Sequence, residues 1–150
     1  MDNVDQSIEH AIRKFQTVML YLNKEIVEMV NDSSLTNLLS REQIEAMRII
    51  QTEGQVTINE LASLQNIFKT AASKRIGKLE EMGYVQRAHS NNKRIKLVQL
   101  SIEGEMFLKR ATETMTEEVK KRLGNRFTLE EIEHFVNQLE RIDDAFRKSK

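Results

Sequence analysis

Hydrophobic periodicity changes sharply in the middle of this chain, and that change limits the fold more than any single motif does. After Thr57 the apolar residues fall at helical steps in two short pieces, Leu61 and Ala62 in one, then Ala72, Ile76 and Leu79 in the next. Gln65-Asn66 interrupts them. Past Gly83 the pattern turns β-prone, with Tyr84 to Ala88 and Ile95 to Leu100 on either side of the polar stretch His89-Ser90-Asn91-Asn92-Lys93. Steps of three and four mark amphipathic helices, and short β-prone runs about a polar turn mark a hairpin. The spacing predicts a helix from Thr57 to about Leu64, a second from about Phe68 to Met82, and then a two-stranded hairpin.

Long helical patterns flank this centre. Ile8, Ala11, Ile12, Phe15, Val18, Met19, Leu22, Ile26, Met29 and Val30 form one stripe, which fades into the turn-like Asn31-Asp32-Ser33-Ser34. Ser40 with Gln43 is a capping box that opens the next helix, with Ile44, Met47 and Ile50 inward and Gly54 as its stop. Thr57 with Glu60 forms a second box. Ser101 caps a fifth helix with Met106, Phe107, Ala111, Met115 and Val119 inside and Gly124 at its end. Thr128 with Glu131 opens a sixth, striped with Leu129, Ile132, Phe135, Val136, Leu139, Ile142 and Phe146. The absence of proline and a charged fraction of 31% agree with a helical chain whose outer faces are solvated.

Two helices about a tight turn, followed by a hairpin, are the order of a winged helix-turn-helix. The expected fold is therefore mainly α with a small β-hairpin wing. A winged lobe over about 36–100 is flanked by helices over about 5–32 and 101–148. One domain could not easily bury apolar stripes on both terminal helices, whereas a second copy of the chain could, so a two-fold dimer is expected.

Several classes are excluded. Without cysteine there is no disulfide, thiolate zinc site or cysteine redox sensor. No apolar run approaches the ~20 residues that cross a bilayer, and Met1 to Glu9 lacks the apolar core of a signal peptide. A cytoplasmic protein with no membrane partner is expected. His10, His89 and His134 stand apart, so no metal is expected. No phosphate loop or nucleophile elbow is present, and carboxylate pairs such as Glu80-Glu81 read as solvated charges. Neither catalysis nor a cofactor is expected.

The stretch Leu61 to Gly104 resembles the MarR (multiple-antibiotic-resistance regulator) family. The strongest run is Lys78-Leu79-Glu80-Glu81-Met82-Gly83-Tyr84-Val85-Gln86-Arg87, followed by Lys93-Arg94 and by Val98-Gln99-Leu100-Ser101-Ile102-Glu103-Gly104. The resemblance implies a transcriptional regulator, with Arg94 reaching the minor groove of DNA and its neighbours touching backbone. Two positions depart from the family. Asn92 stands where an acid commonly helps to hold the wing arginine. Arg75 takes a usually apolar position and is expected to reach solvent or DNA.

Charge agrees with this reading. The formal net charge is zero, yet residues 66–96 carry eight bases against Glu80 and Glu81. Lysine and arginine that displace counterions from DNA gain binding free energy. On the second short helix, opposite its apolar face, lie Lys69, Thr70, Ser73, Lys74, Gly77 and Lys78. Thr70 and Ser73 suit base edges, Lys69 and Lys74 suit guanine acceptors or phosphates, and Gly77 permits close approach. With Lys78, and with Lys93 and Arg94 at the wing, these are the candidate DNA-binding residues. An ordinary solvated face is the bland alternative, and docking on an acidic protein partner is the rival function. Gln65 and Asn66 suit either the turn or a phosphate. Methionine is frequent and suits core filling or a pliable pocket. By position in the family, Phe15, Met19, Met47 and Phe107 are candidates for a small lipophilic or phenolic effector.

Overall fold

Local hydrogen bonds set the helix ends in the computed structural model, which describes residues 2–33 and 39–148. The elements are α1 (Asn3–Ser33), α2 (Arg41–Glu53), β1 (Val56–Thr57), α3 (Ile58–Gln65), α4 (Lys69–Glu81), β2 (Val85–Arg87), β3 (Leu97–Leu100), α5 (Ile102–Leu123) and α6 (Leu129–Lys148). Ser40 and Gln43 form both halves of their capping box, as do Thr128 and Glu131. Thr57 supplies the hydroxyl half of its own, accepting from Glu60 N–H. The first helix runs through Asn31 and Asp32 to Ser33, where a turn was expected. Ser34, and the side chains at Met29 and Val30, lie outside the described residues.

The turn between α3 and α4 rests on one residue. Asn66 takes the left-handed region at φ 55°, which asparagine tolerates better than most residues. Ile67 N–H then donates back to Ala62 O at 2.9 Å, and Asn66 N–H to Ser63 O. Together these bonds make a Schellman ending. Gln65, expected to break the helix, is its last residue. The end of α4 repeats the device: Gly83 at φ 83° lets Tyr84 N–H reach Leu79 O at 2.9 Å.

The sheet has three strands, not the expected two, in the order β1-β3-β2, all antiparallel. Val56 pairs with Val98, and Val85 with Leu100. The hairpin strands are shorter than expected. Tyr84 is held by the α4 ending, and residues 88–96 form the connection, with a tight turn closed by Ile95 N–H to Asn92 O at 3.0 Å.

The core joins α2, α3, α4, the sheet and the start of α5. Met47, Ile50, Val56, Leu61, Ala72, Ile76, Leu79, Val98 and Leu108 have no measurable exposure. Ile26 and Val27 bring α1 onto it. On α5 the inward stripe is Gly104, Phe107, Leu108 and Ala111. Met106, expected inside, is exposed, because at 100° per residue it falls opposite that stripe. Met115 and Val119 are half-buried. The chain divides into two compact units, Met1–Met115 and Thr116–Lys150. No residue of α6 is buried. On α1, Ile8, Ile12, Phe15 and Val18 are exposed as well. Among the described residues no helix is long and apolar enough to cross a membrane.

Ser101 is the buried polar residue of the core. Its N–H donates to Tyr84 O at 3.0 Å, its hydroxyl donates to Gly83 O at 2.6 Å, and the same oxygen accepts from Gly104 N–H at 3.0 Å. Gly104 permits this approach, since a Cβ there would lie 2.1 Å from Tyr84 O. Gly104→Ala is expected to lower stability by about 1–3 kcal/mol, the usual cost of overpacking, read as a lower urea midpoint. Gly77→Ala, where a Cβ meets nothing within 4 Å, is expected to raise it by about 0.5–1 kcal/mol.

Candidate nucleic-acid interface

Helix α4 buries Ala72, Ile76 and Leu79 and turns its other side outward. Thr70, Ser73, Lys74, Gly77 and Lys78 follow one another at i, i+3, i+4, i+7 and i+8, so they share one face. Of these only Gly77 is half-buried, and Lys69 is exposed beside them. The first turn of α4 holds no acid, so its lysine adds to the positive end of the helix dipole instead of offsetting it. That arrangement costs helix stability and favours an external anion.

The wing tip carries Lys93 and Arg94, both exposed. Asn92 shapes it. The Asn92 side chain accepts from Arg94 N–H at 3.0 Å, and the Ser90 hydroxyl donates to Asn92 O at 3.1 Å. Asn92 therefore orients the arginine through its backbone. Among the described residues, Lys69, Lys74, Lys78, Lys93 and Arg94 are without an ion-pair partner.

Two other bases of the same block point inward. Arg75, expected to reach solvent or DNA, is half-buried, and its Nη1 donates to Gln65 Oε1 at 2.6 Å. The Gln65 amide in turn donates to Glu42 O at 3.1 Å and to Glu45 Oε1 at 3.2 Å. Gln65 thus has a structural role beyond ending the helix. It links α2, α3 and α4. Lys96 Nζ lies 2.5 Å from Glu80 Oε1, so Glu80 is not the solvated charge expected. This pair ties the base of the wing to α4. A third link, Arg48, was not legible in the sequence. It is half-buried on α2, with Nη2 donating to Thr112 Oγ1 of α5 at 2.7 Å and Nη1 to Gln51 Oε1 at 3.3 Å. Burial holds its guanidinium below the ordinary arginine pKa.

Comparison with known proteins bears on this geometry. The MarR family model matches residues 39–96. The uncharacterized HTH-type transcriptional regulator YdgG of Bacillus subtilis is 31% identical over 107 residues, which cover 69% of this chain and 70% of that protein. The chain belongs to the MarR family. It is a transcriptional regulator of that family and not an enzyme. A second regulator of B. subtilis, YwoH, is 32% identical over 98 residues, covering 58% of this chain and 72% of its own length. The fold matches a MarR family protein from Bacillus stearothermophilus with a TM-score of 0.75 at 17% identity, over 98% of this chain and 99% of that one. It also matches a mutant of Escherichia coli MarR complexed with operator DNA, with a TM-score of 0.61 at 18% identity, over 95% and 99% of the two chains.

Arg75 is accommodated by Gln65, which is itself bonded to the α2 backbone. Of the four effector candidates, the structure brings Met47 and Phe107 into the core, Phe107 with its ring 4.9 Å from that of Tyr84. Phe15 is exposed on α1 and Met19 half-buried there. Among the described residues no group of three or more His, Cys, Asp or Glu is placed to hold a metal.

Arg75→Met is expected to cost about 1–2 kcal/mol, since it removes a part-buried bond to a charged donor and leaves Gln65 with an unmet acceptor. Gln65→Leu is expected to cost a similar amount. In urea denaturation the double variant should fall well short of the sum, because both changes remove one interaction.

Proposed function

We propose that this chain is a homodimeric repressor that reads an inverted-repeat operator in duplex DNA. The observation that carries the reading is the row Thr70, Ser73, Lys74 and Lys78 on a braced α4, close in sequence to the wing bases Lys93 and Arg94, with every base of this set free of ion pairs among the described residues. Helix-turn-helix proteins insert the N-terminal part of the second helix into the major groove. Thr70 and Ser73 then address base edges, while Lys69, Lys74 and Lys78 address guanine or phosphate. Lys93 and Arg94 address the backbone and the adjacent minor groove.

Dimerisation follows from the apolar stripes. Ile132, Phe135, Val136, Leu139 and Ile142 are exposed on α6, as are Ile8, Ile12, Phe15 and Val18 on α1. Apolar rows of this kind mark interaction surfaces, and a two-fold axis lets one sequence bury both copies. The lobe over about 36–100 then binds DNA, and the terminal helices hold the dimer. Two α4 helices about one turn of DNA apart, 10–10.5 bp, address the half-sites. Release by a small lipophilic or phenolic effector requires that it prefer one dimer geometry. Phe15, Met19, Met47 and Phe107 are the side chains proposed for it, and Met47 and Phe107 would have to leave their core positions to line a site.

Fluorescence anisotropy on duplexes selected from a random pool, over a salt series, tests the reading. A two-fold-symmetric site should emerge. Lys74→Ala and Arg94→Ala are each expected to weaken binding by about 1–3 kcal/mol. Removing a lysine or arginine that neutralises one phosphate should reduce the slope of log K against log salt by about 0.9. Enrichment of no sequence, with binding no tighter than about 10⁻⁴–10⁻⁶ M, would sink operator reading and direct the search to an acidic protein partner. Separately, Phe135→Glu with Ile142→Glu is expected to give a monomer in sedimentation velocity that keeps its helical circular dichroism. Its operator affinity should fall by about 100-fold or more, toward the non-specific level.

A further inference from the structure

Phe68 is 86% exposed, more than any other large apolar side chain among the described residues. It stands at the N-cap of α4 and makes no side-chain cap bond. That position strongly favours serine, threonine, aspartate or asparagine. Elsewhere in the chain the hydroxyls of Ser40, Thr57, Ser101 and Thr128 accept from the third residue of the helices they open. Phenylalanine at 68 therefore serves neither the helix nor the core. A residue that breaks a local rule without a structural gain points to a functional site.

The backbone presents this ring from a fixed point. On one side Ile67 N–H is bonded to Ala62 O at 2.9 Å, and Ile67 packs against the core. On the other, Phe68 O accepts from Ala72 N–H at 3.1 Å. Phe68 directly precedes Lys69 and Thr70, at the end of α4 that enters the groove first. A phenyl ring offers no hydrogen bond to a base edge. What it can recognise in the major groove is the C5-methyl group of thymine, by apolar contact.

We propose that Phe68 is a specificity-determining residue that seats against a thymine methyl in each half-site. The inference rests on the operator-reading function above. It assigns a base identity to a position that no lysine, threonine or serine of α4 reads.

The test uses the full-length protein and the operator that it selects. Each thymine in turn is replaced by deoxyuridine, which keeps the base pair and removes only the methyl. One symmetry-related pair of thymines is expected to weaken the wild type about fourfold per half-site, the transfer value of one methyl-sized group. Phe68→Ser should be indifferent to that replacement, and Phe68→Leu should keep part of the sensitivity. Neither variant removes a charge, so the salt slope should stay that of the wild type. The thermal midpoint of Phe68→Ser should be equal or higher, because serine restores a cap. A selected operator to which wild type and Phe68→Ser respond alike at every deoxyuridine overturns the assignment and leaves operator reading standing. Selection of no sequence at all removes both.

Discussion

Three elements meet at Ser101, and the candidate interface depends on that meeting. Its N–H, its hydroxyl hydrogen and its hydroxyl oxygen are each used, on Tyr84 O, Gly83 O and Gly104 N–H. These bonds join the end of α4, the start of the wing and the first turn of α5. A buried hydroxyl with every bond made is rigidifying, whereas one left unmet would be costly. The approach needs Gly104, because any side chain there would strike the Tyr84 carbonyl. The angle of α4 to the wing is thus set by backbone contacts, which change little with the surface residues that α4 carries.

On that frame the charges divide into two roles. Arg75 and Lys96 are spent inside the lobe, one on the Gln65 relay and the other on Glu80. The bases of α4's outer face and the wing tip are left to solvent. Partly buried bonds gain from reduced screening, while exposed cations stay available to a polyanion. Arg48 adds a link from α2 to α5. Through it a movement at Thr112 of α5 would be felt directly by α2.

Helix ends were legible in the sequence wherever the stop or cap is local. Ser40 with Gln43, Thr128 with Glu131, and the glycines at 54, 83 and 124 all act within one turn of backbone. The place of strand β1 in the sheet was not legible. Two residues are too few to show a period of two, and their partners on β3 lie far along the chain. Met106 was misplaced on α5, and Leu108 was not singled out, for a related reason. Both are apolar, and only the packing of Gly104 against Tyr84 decides which side of the helix faces inward. Phe68 read as the start of a helix, since exposure at a cap has no signature in the sequence.

The sequence by itself determined the order of the elements, the apolar face of α4 and the sign of charge about it. These follow from periodicity and from hydrogen bonds spanning three or four residues. Which of the clustered bases remain free was decided by the tertiary structure. Arg75 and Lys74 are neighbours of like charge, and one is bonded to Gln65 while the other is exposed. The difference arises because a helix turns 100° per residue and only one of the two directions meets α3.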